Sequence, residues 1–125
     1  MEPKKILIVD DDKTCQTFLR SIIKKCGNFV FKIAVTGEEA VKKAASFAPD
    51  LIIMDIILEG EMDGIEAVEE IQETIDVPIV YTTASLDEDI LNRARYTKSI
   101  AFAIKPLEKK EVVKLIEKVF GHDQS

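Results

Sequence analysis

Three aspartates, a threonine and a lysine carry the chemistry of this chain, and each follows an apolar run. Ile6-Leu7-Ile8-Val9 leads into Asp10-Asp11-Asp12. Leu51-Ile52-Ile53-Met54 leads into Asp55. Val77-Pro78-Ile79-Val80-Tyr81 leads into Thr82-Thr83, and Ile100-Ala101-Phe102-Ala103-Ile104 into Lys105-Pro106. If the runs are parallel strands, one edge of one sheet gathers Asp10, Asp11 and Asp55 with a hydroxyl and an ammonium. Open α/β sheets place their sites at that edge. Clustered carboxylates there suit a divalent cation with oxygen ligands. A lysine beside them suits an anion.

The elements that must position these groups alternate along the chain. Residues 4–9 read as a strand. Residues 13–26 carry Cys15, Phe18, Leu19, Ile22, Ile23 and Cys26 at helical spacing, with Gly27 as a stop. Residues 29–35 alternate Phe29, Phe31, Ile33 and Val35. Thr36 and Glu39 have capping-box spacing before a helix to about Phe47, ended by Pro49. Residues 51–54 are apolar without alternation, as a strand covered on both faces should be. A loop at 56–63 precedes a helix from Gly64 to about Thr74, and a strand follows at 77–81. Ser85 and Glu88 suggest a second capping box, opening a polar helix to about Tyr96. The last strand is 100–104, and Leu107–Phe120 is an amphipathic helix ended by Gly121. Five strand–helix units with short connections imply a parallel sheet with right-handed crossovers and helices on both faces.

The bulk numbers bound the function. A chain of 125 residues with 46% apolar content is expected to form one globular domain over 1–125, with a short polar tail at 121–125. Its formal charge of -6 disfavours nucleic-acid binding, which needs basic stripes. No apolar stretch approaches the roughly 18 residues of a membrane span. With no signal-peptide pattern, the expected location is cytoplasmic. Cys15 and Cys26, on one predicted helix, are about 16 Å apart along its axis. A disulfide needs Cα atoms within about 7 Å, so they read as unpaired core-facing residues of a reducing compartment. No histidine or cysteine is expected near the acidic edge, which argues against zinc. His122, the sole histidine, reads as solvated.

With these positions in view, the chain resembles a response-regulator receiver domain over essentially its whole length. The resemblance rests on Asp10-Asp11, Asp55, Thr83-Ala84 and Lys105-Pro106, in order at four strand ends. It implies a flavodoxin-like (βα)5 fold with strand order 2-1-3-4-5. It implies that Asp55 takes a phosphoryl group from the phosphohistidine of a sensor kinase or phosphotransfer protein. Mg²⁺ would be held by Asp11, Asp55 and the Ile57 carbonyl, with Asp10 acting through water. Lys105 would pair with Asp55 and then with the phosphoryl oxygens, and Thr83 would move to hydrogen-bond them. Phe102 matches the switch aromatic, and the Lys105–Pro106 bond is expected to be cis. The output face would comprise the helix at 86–96, the strand at 100–104 and the last helix, and the chain would act on a separate protein target, shuttle phosphoryl groups in a relay or be one piece of a larger chain.

Two departures stand out. The segment from Asp55 to Asp63-Gly64 is one residue longer than the usual pattern, lacks its proline, and adds Glu59 and Glu61. Thr97-Lys98-Ser99 stands where Gly-Ala is usual.

Plainer readings accompany each residue. Asp12 suits a helix N-cap. Thr83 could be a β-former like Thr82, Lys105 a surface lysine and Phe102 a core residue. Asp10-Asp11-Asp12-Lys13-Thr14 is also similar to the Asp-x-Asp-x-Thr opening of haloacid-dehalogenase phosphatases, with Asp10 as nucleophile and Asp12 as general acid. Against that, the last strand ends in Lys105-Pro106, not in further acidic ligands. An interaction module that keeps the fold without phosphorylation is the other alternative. No glycine-rich loop follows the first strand, which disfavours nucleotide binding.

Overall fold

A computed structural model describes residues 2–121. Ten elements alternate: β1 (Lys4–Val9), α1 (Lys13–Lys24), β2 (Phe29–Ala34), α2 (Gly37–Phe47), β3 (Leu51–Asp55), α3 (Gly64–Gln72), β4 (Ile79–Thr83), α4 (Glu88–Arg95), β5 (Ala101–Ile104) and α5 (Lys109–Phe120). The strands form one parallel sheet in the order β2-β1-β3-β4-β5. This is the flavodoxin-like arrangement expected.

The absence of alternation in β1 and β3 has a direct cause. Successive strand side chains point to opposite faces, and both faces are covered. Ile6 and Ile8 pack with Leu19, Ile22 and Ile23 of α1 and Val112 and Ile116 of α5. Leu7 and Val9 pack with Ala40 and Ala44 of α2 and Ile65, Val68 and Ile71 of α3. Edge strand β2 keeps its alternation, with Val30 and Lys32 exposed between half-buried neighbours.

Several boundaries move, each for a local reason. β4 begins at Ile79, two residues later than the apolar run. Pro78 has no N–H to donate to a ladder, although its carbonyl accepts from Ile52 N–H. At its other end β4 runs on through Thr82 and Thr83, which pair with Ala103 and Ile104 of β5. Helix α1 stops at Lys24, so Cys26 lies beyond it and the two cysteines do not share a helix. Leu107 precedes α5 and packs into the α1/α5 layer.

The caps divide similarly. Asp12 caps α1 as expected, accepting from Thr14 N–H. At α2, Thr36 accepts from Glu39 N–H, but Glu39 accepts from Val35, so the box is not reciprocal. The Ser85–Glu88 box does not form. Asp87 is the cap of α4, accepting from the Asp89 and Ile90 amides, and Ser85 accepts from Asp87 N–H. A charged carboxylate facing the helix dipole is the stronger competitor for that position. A complete capping box forms instead between Asp63 and Glu66 at α3. The tail beyond Gly121, including His122, lies outside the described residues.

Candidate functional site

The ends of β1, β3 and β5 bring four charged groups together. Asp10 and Asp11 follow β1, Asp55 ends β3 and Lys105 follows β5. Backbone hydrogen bonds fix their heights. The Lys105 amide donates to the Thr83 carbonyl at 2.8 Å, and the Asp10 amide to the Ala34 carbonyl at 3.0 Å.

Asp10 and Asp55 are nearly sealed from solvent, while Asp11 is exposed. Lys105 Nζ donates to Asp10 Oδ2 at 3.0 Å and to Asp55 Oδ2 at 3.1 Å. Each buried carboxylate has a second donor. The Asp12 amide serves Asp10 Oδ1 at 2.8 Å, and the Ile57 amide serves Asp55 Oδ1 at 3.2 Å. Asp11 Oδ2 accepts from the Glu59 amide at 3.2 Å.

Burial drives the Asp55 carboxyl up to about 6; Lys105 pulls it down and the neighbouring Asp10 charge adds to the rise. Burial alone would lower the Lys105 ammonium, but Asp10 and Asp55 together hold it above the ordinary lysine range.

Carboxylate oxygens of Asp10, Asp11 and Asp55 all lie within 4.8 Å of one another. Three carboxylates against one ammonium leave two negative charges uncompensated, all on hard oxygen donors. That donor set fits Mg²⁺, which binds through few carboxylates and retains water. Asp12 is outside the group, occupied with its N-cap bond. The phosphatase-like reading, which needs Asp12 as a general acid in the site, loses its second carboxylate here.

The remaining residues sit nearby in different roles. Thr83 is fully buried; its hydroxyl accepts from the Ser85 amide at 3.0 Å and so faces the β4–α4 connection. Thr82 points the other way, into the α1/α5 layer beside Leu51, Val80 and Ala103. Phe102 is half-buried and stacks on Tyr81, with centroids 5.6 Å apart. The Lys105–Pro106 peptide is cis.

Cys15 is half a correction. It packs against the α1/α5 core layer as expected, but it also stands at the acidic edge, beside the Asp10 carboxylate. Burial and that carboxylate push its thiol up to about 12, so it stays protonated at neutral pH. Position in the first turn of α1 was the available signal, since that turn rises directly from the Asp10-Asp11-Asp12 corner. Its protonated state makes it a poor ligand for zinc, which needs the thiolate.

Two glycines are required by contact. A Cβ on Gly64 would stand 2.1 Å from the Asp55 carbonyl oxygen, and one on Gly37 would stand 2.8 Å from Met62 Cγ. The start of α3 thus packs on the backbone of Asp55 itself.

A sheet of this order with this acidic edge defines a class. The family model described as "Response regulator receiver domain" matches residues 6–117, and the chain belongs to that family. Receiver domains typically bind Mg²⁺ at an acidic cluster and in general act as signalling modules rather than enzymes.

The chain is 33% identical to the transcriptional regulatory protein PdtaR of Mycobacterium tuberculosis, over 92% of this chain and 56% of that protein. It thus spans little more than half of that relative. It is 36% identical to the chemotaxis protein CheY of Thermotoga maritima, over 93% of this chain and 97% of that one. Among solved structures it resembles the N-terminal domain of a response regulator/sensory box/GGDEF three-domain protein from Carboxydothermus hydrogenoformans. That match has a TM-score of 0.83, 33% identity and 93% coverage of both chains.

Proposed function

We propose that the chain is the phosphoacceptor of a two-component relay, with Asp55 as the residue modified. The observation that carries this reading is the Lys105 ammonium bridging Asp55 and Asp10, beside an exposed Asp11. Phosphoryl transfer needs a nucleophilic oxygen, neutralised charge and in-line positioning. Asp55 Oδ attacks the phosphorus of a partner's phosphohistidine. The P–N bond breaks, an acyl phosphate forms, and the imidazole nitrogen recovers its lone pair and takes a proton from solvent. Asp10, Asp11, Asp55 and the Ile57 carbonyl would hold Mg²⁺, which supplies charge neutralisation for the phosphoryl oxygens. Lys105 keeps its proton and its charge, and passes from the Asp55 carboxylate to a phosphoryl oxygen.

Thr83 leaves its bond with Ser85 to donate to the same group. Movement of that buried hydroxyl disturbs the packing of Phe102 on Tyr81, a local charge change biasing a two-state element. The output face is α4, β5 and α5. The partners are a sensor histidine kinase or phosphotransfer protein and a downstream protein target, in the cytoplasm. Among the described residues no helix is long and apolar enough to cross a membrane.

Intact-mass measurement after incubation with acetyl phosphate and Mg²⁺ tests the reading. The expected result is a gain of one phosphoryl group, abolished by EDTA and absent in Asp55→Asn. A gain that persists in Asp55→Asn but vanishes in Asp10→Asn would move the nucleophile to Asp10. If no mass gain occurs, titration with beryllium fluoride discriminates: binding at the acidic edge retains the phosphoacceptor reading. Its absence favours an interaction module that works without phosphorylation.

A further inference from the structure

The carboxylate least restrained by its surroundings is Asp11. Asp10 and Asp55 are buried and tied to Lys105, whereas Asp11 is exposed on the rim of the cluster. An exposed side chain must be ordered when it binds a cation, and that ordering costs affinity unless it is already in place. The structure supplies the restraint from the long β3–α3 loop (56–63), through the Glu59 amide on Asp11 Oδ2 at 3.2 Å.

That amide is held in place by the loop's seat. Leu58 is buried and Met62 packs against the α2/α3 core layer. Met62 lies across Gly37, the first residue of α2: a Cβ there would meet Met62 Cγ at 2.8 Å and the Met62 carbonyl oxygen at 2.9 Å. Gly60, directly after Glu59, turns the chain with φ +99°, a conformation that L side chains rarely adopt. Two glycines, one in the loop and one in the helix beneath it, thus let the backbone descend onto α2 while its amide faces the site.

We propose that this loop is a positioning device for Asp11. Seated on α2 through Met62 over Gly37, it presents the Glu59 N–H to the Asp11 carboxylate and thereby raises the affinity for a divalent cation. The inference rests on reading Asp10, Asp11 and Asp55 as a cation site. It makes Glu59 a positioning residue through its backbone, and Gly37 one through Met62.

Titration calorimetry of MgCl₂ into the full chain tests this, with thermal unfolding in EDTA as a record of apoprotein stability. Glu59→Pro removes the N–H, and Glu59→Ala keeps it while removing the carboxylate. Loss of an outer partner of a metal-binding group typically lowers metal affinity about 10–100-fold. Glu59→Pro is therefore expected to bind Mg²⁺ at least about tenfold more weakly than Glu59→Ala. Gly37→Ala, which reaches Asp11 only by displacing Met62 and the loop, is expected to bind several-fold more weakly than wild type. Equal affinities of the two Glu59 variants, or a Gly37→Ala protein that binds like wild type, overturns the inference. If Glu59→Pro does not fold in EDTA, Gly37→Ala decides alone. Failure of the wild type to bind Mg²⁺ saturably is a different result: it overturns the cation-site reading itself, and this inference with it.

Discussion

Lys105 Nζ lies 3.0 Å from Asp10 Oδ2 and 3.1 Å from Asp55 Oδ2, a single ammonium serving two carboxylates that are almost fully buried. Among the described residues neither acid has another cation in contact, so removing the lysine strands both. Taking one partner from a buried ion pair costs about 3–5 kcal/mol, and partial exposure of Lys105 brings the expected loss for Lys105→Ala to about 2–3 kcal/mol. Urea unfolding in EDTA at neutral pH measures it. The lysine's contribution is fully present below its ordinary value of 10.5 and is lost as pH rises through its raised native value, so neutral pH sees all of it. A loss under about 0.5 kcal/mol would mean that water screens the pair as it does at a surface.

Asp55 shifts stability with pH in the same direction as Lys105, but in a window near neutrality. Its carboxyl is raised from 3.8 to about 6, chiefly by burial. The native state therefore binds the proton more tightly than the unfolded chain. The stability this gives is complete below about pH 4 and is lost as pH rises through about 6. At pH 7.5 in EDTA, a buried and ionised Asp55 weighs against folding. Asp55→Asn, of the same size and uncharged, should then be more stable than wild type by about 1–3 kcal/mol, with the gap closing below pH 4. Parallel denaturant curves at two pH values decide it. A variant less stable than wild type at pH 7.5 would show that the Lys105 bond outweighs desolvation.

A bound divalent cation should reverse that penalty. A ligand held only by the native state stabilises by RT ln(1 + [L]/Kd), about 1.4 kcal/mol at ten times Kd. Mg²⁺ is expected to raise the melting temperature of the wild type by several degrees in a concentration-dependent way. Asp11→Asn removes the exposed ligand without touching the Lys105 pair, and should unfold in EDTA at nearly the wild-type temperature while losing most of the Mg²⁺ response. Differential scanning calorimetry with and without Mg²⁺ reads both. An undiminished response in Asp11→Asn would take Asp11 out of the cation site.

How much of this was legible in the residues depends on the range of the interaction. Ile6–Val9 and Leu51–Met54 announce covered strands because burial on two faces leaves no polar positions. Asp10, Asp55 and Lys105 were placed by strand ends alone, since a parallel sheet aligns those ends whatever its details. The resemblance added the assignment of roles. What escaped depends on competition or on packing between distant segments. Asp87 displaced Ser85 as the cap of α4, a choice between neighbours that spacing cannot rank. Cys15 joined Asp10 because α1 starts only three residues after it and turns its first side chains back over the corner. The Glu59 amide on Asp11 and Met62 over Gly37 need the loop's path, which is set by Leu58 and Met62 finding the core rather than by any motif.

Gly64 makes the sharpest steric prediction. The first residue of α3 packs so closely on β3 that a Cβ would stand 2.1 Å from the Asp55 carbonyl oxygen and 2.9 Å from both Asp55 C and Ile56 Cα. All three are backbone atoms, so no rotamer change relieves the overlap. The Gly64 amide also donates to the Ile56 carbonyl at 2.9 Å, which prevents α3 from lifting away without breaking that bond. Ala is the better helix former by about 1 kcal/mol, which by itself would make Gly64→Ala stabilising. Overpacking against fixed structure costs about 1–3 kcal/mol or more, and here it acts on the main chain. The net expectation is a loss of about 2 kcal/mol or more in urea unfolding, together with weakened Mg²⁺ binding as Asp55 is displaced. Gly121→Ala is the control, because a Cβ there meets nothing within 4 Å. Its cost should reflect only the backbone, whose φ of 79° and ψ of -172° lie in a region kept essentially to glycine, about 1–3 kcal/mol, with Mg²⁺ affinity unaltered. If Gly64→Ala is as stable as wild type, the α3–β3 contact yields more readily than its distances require.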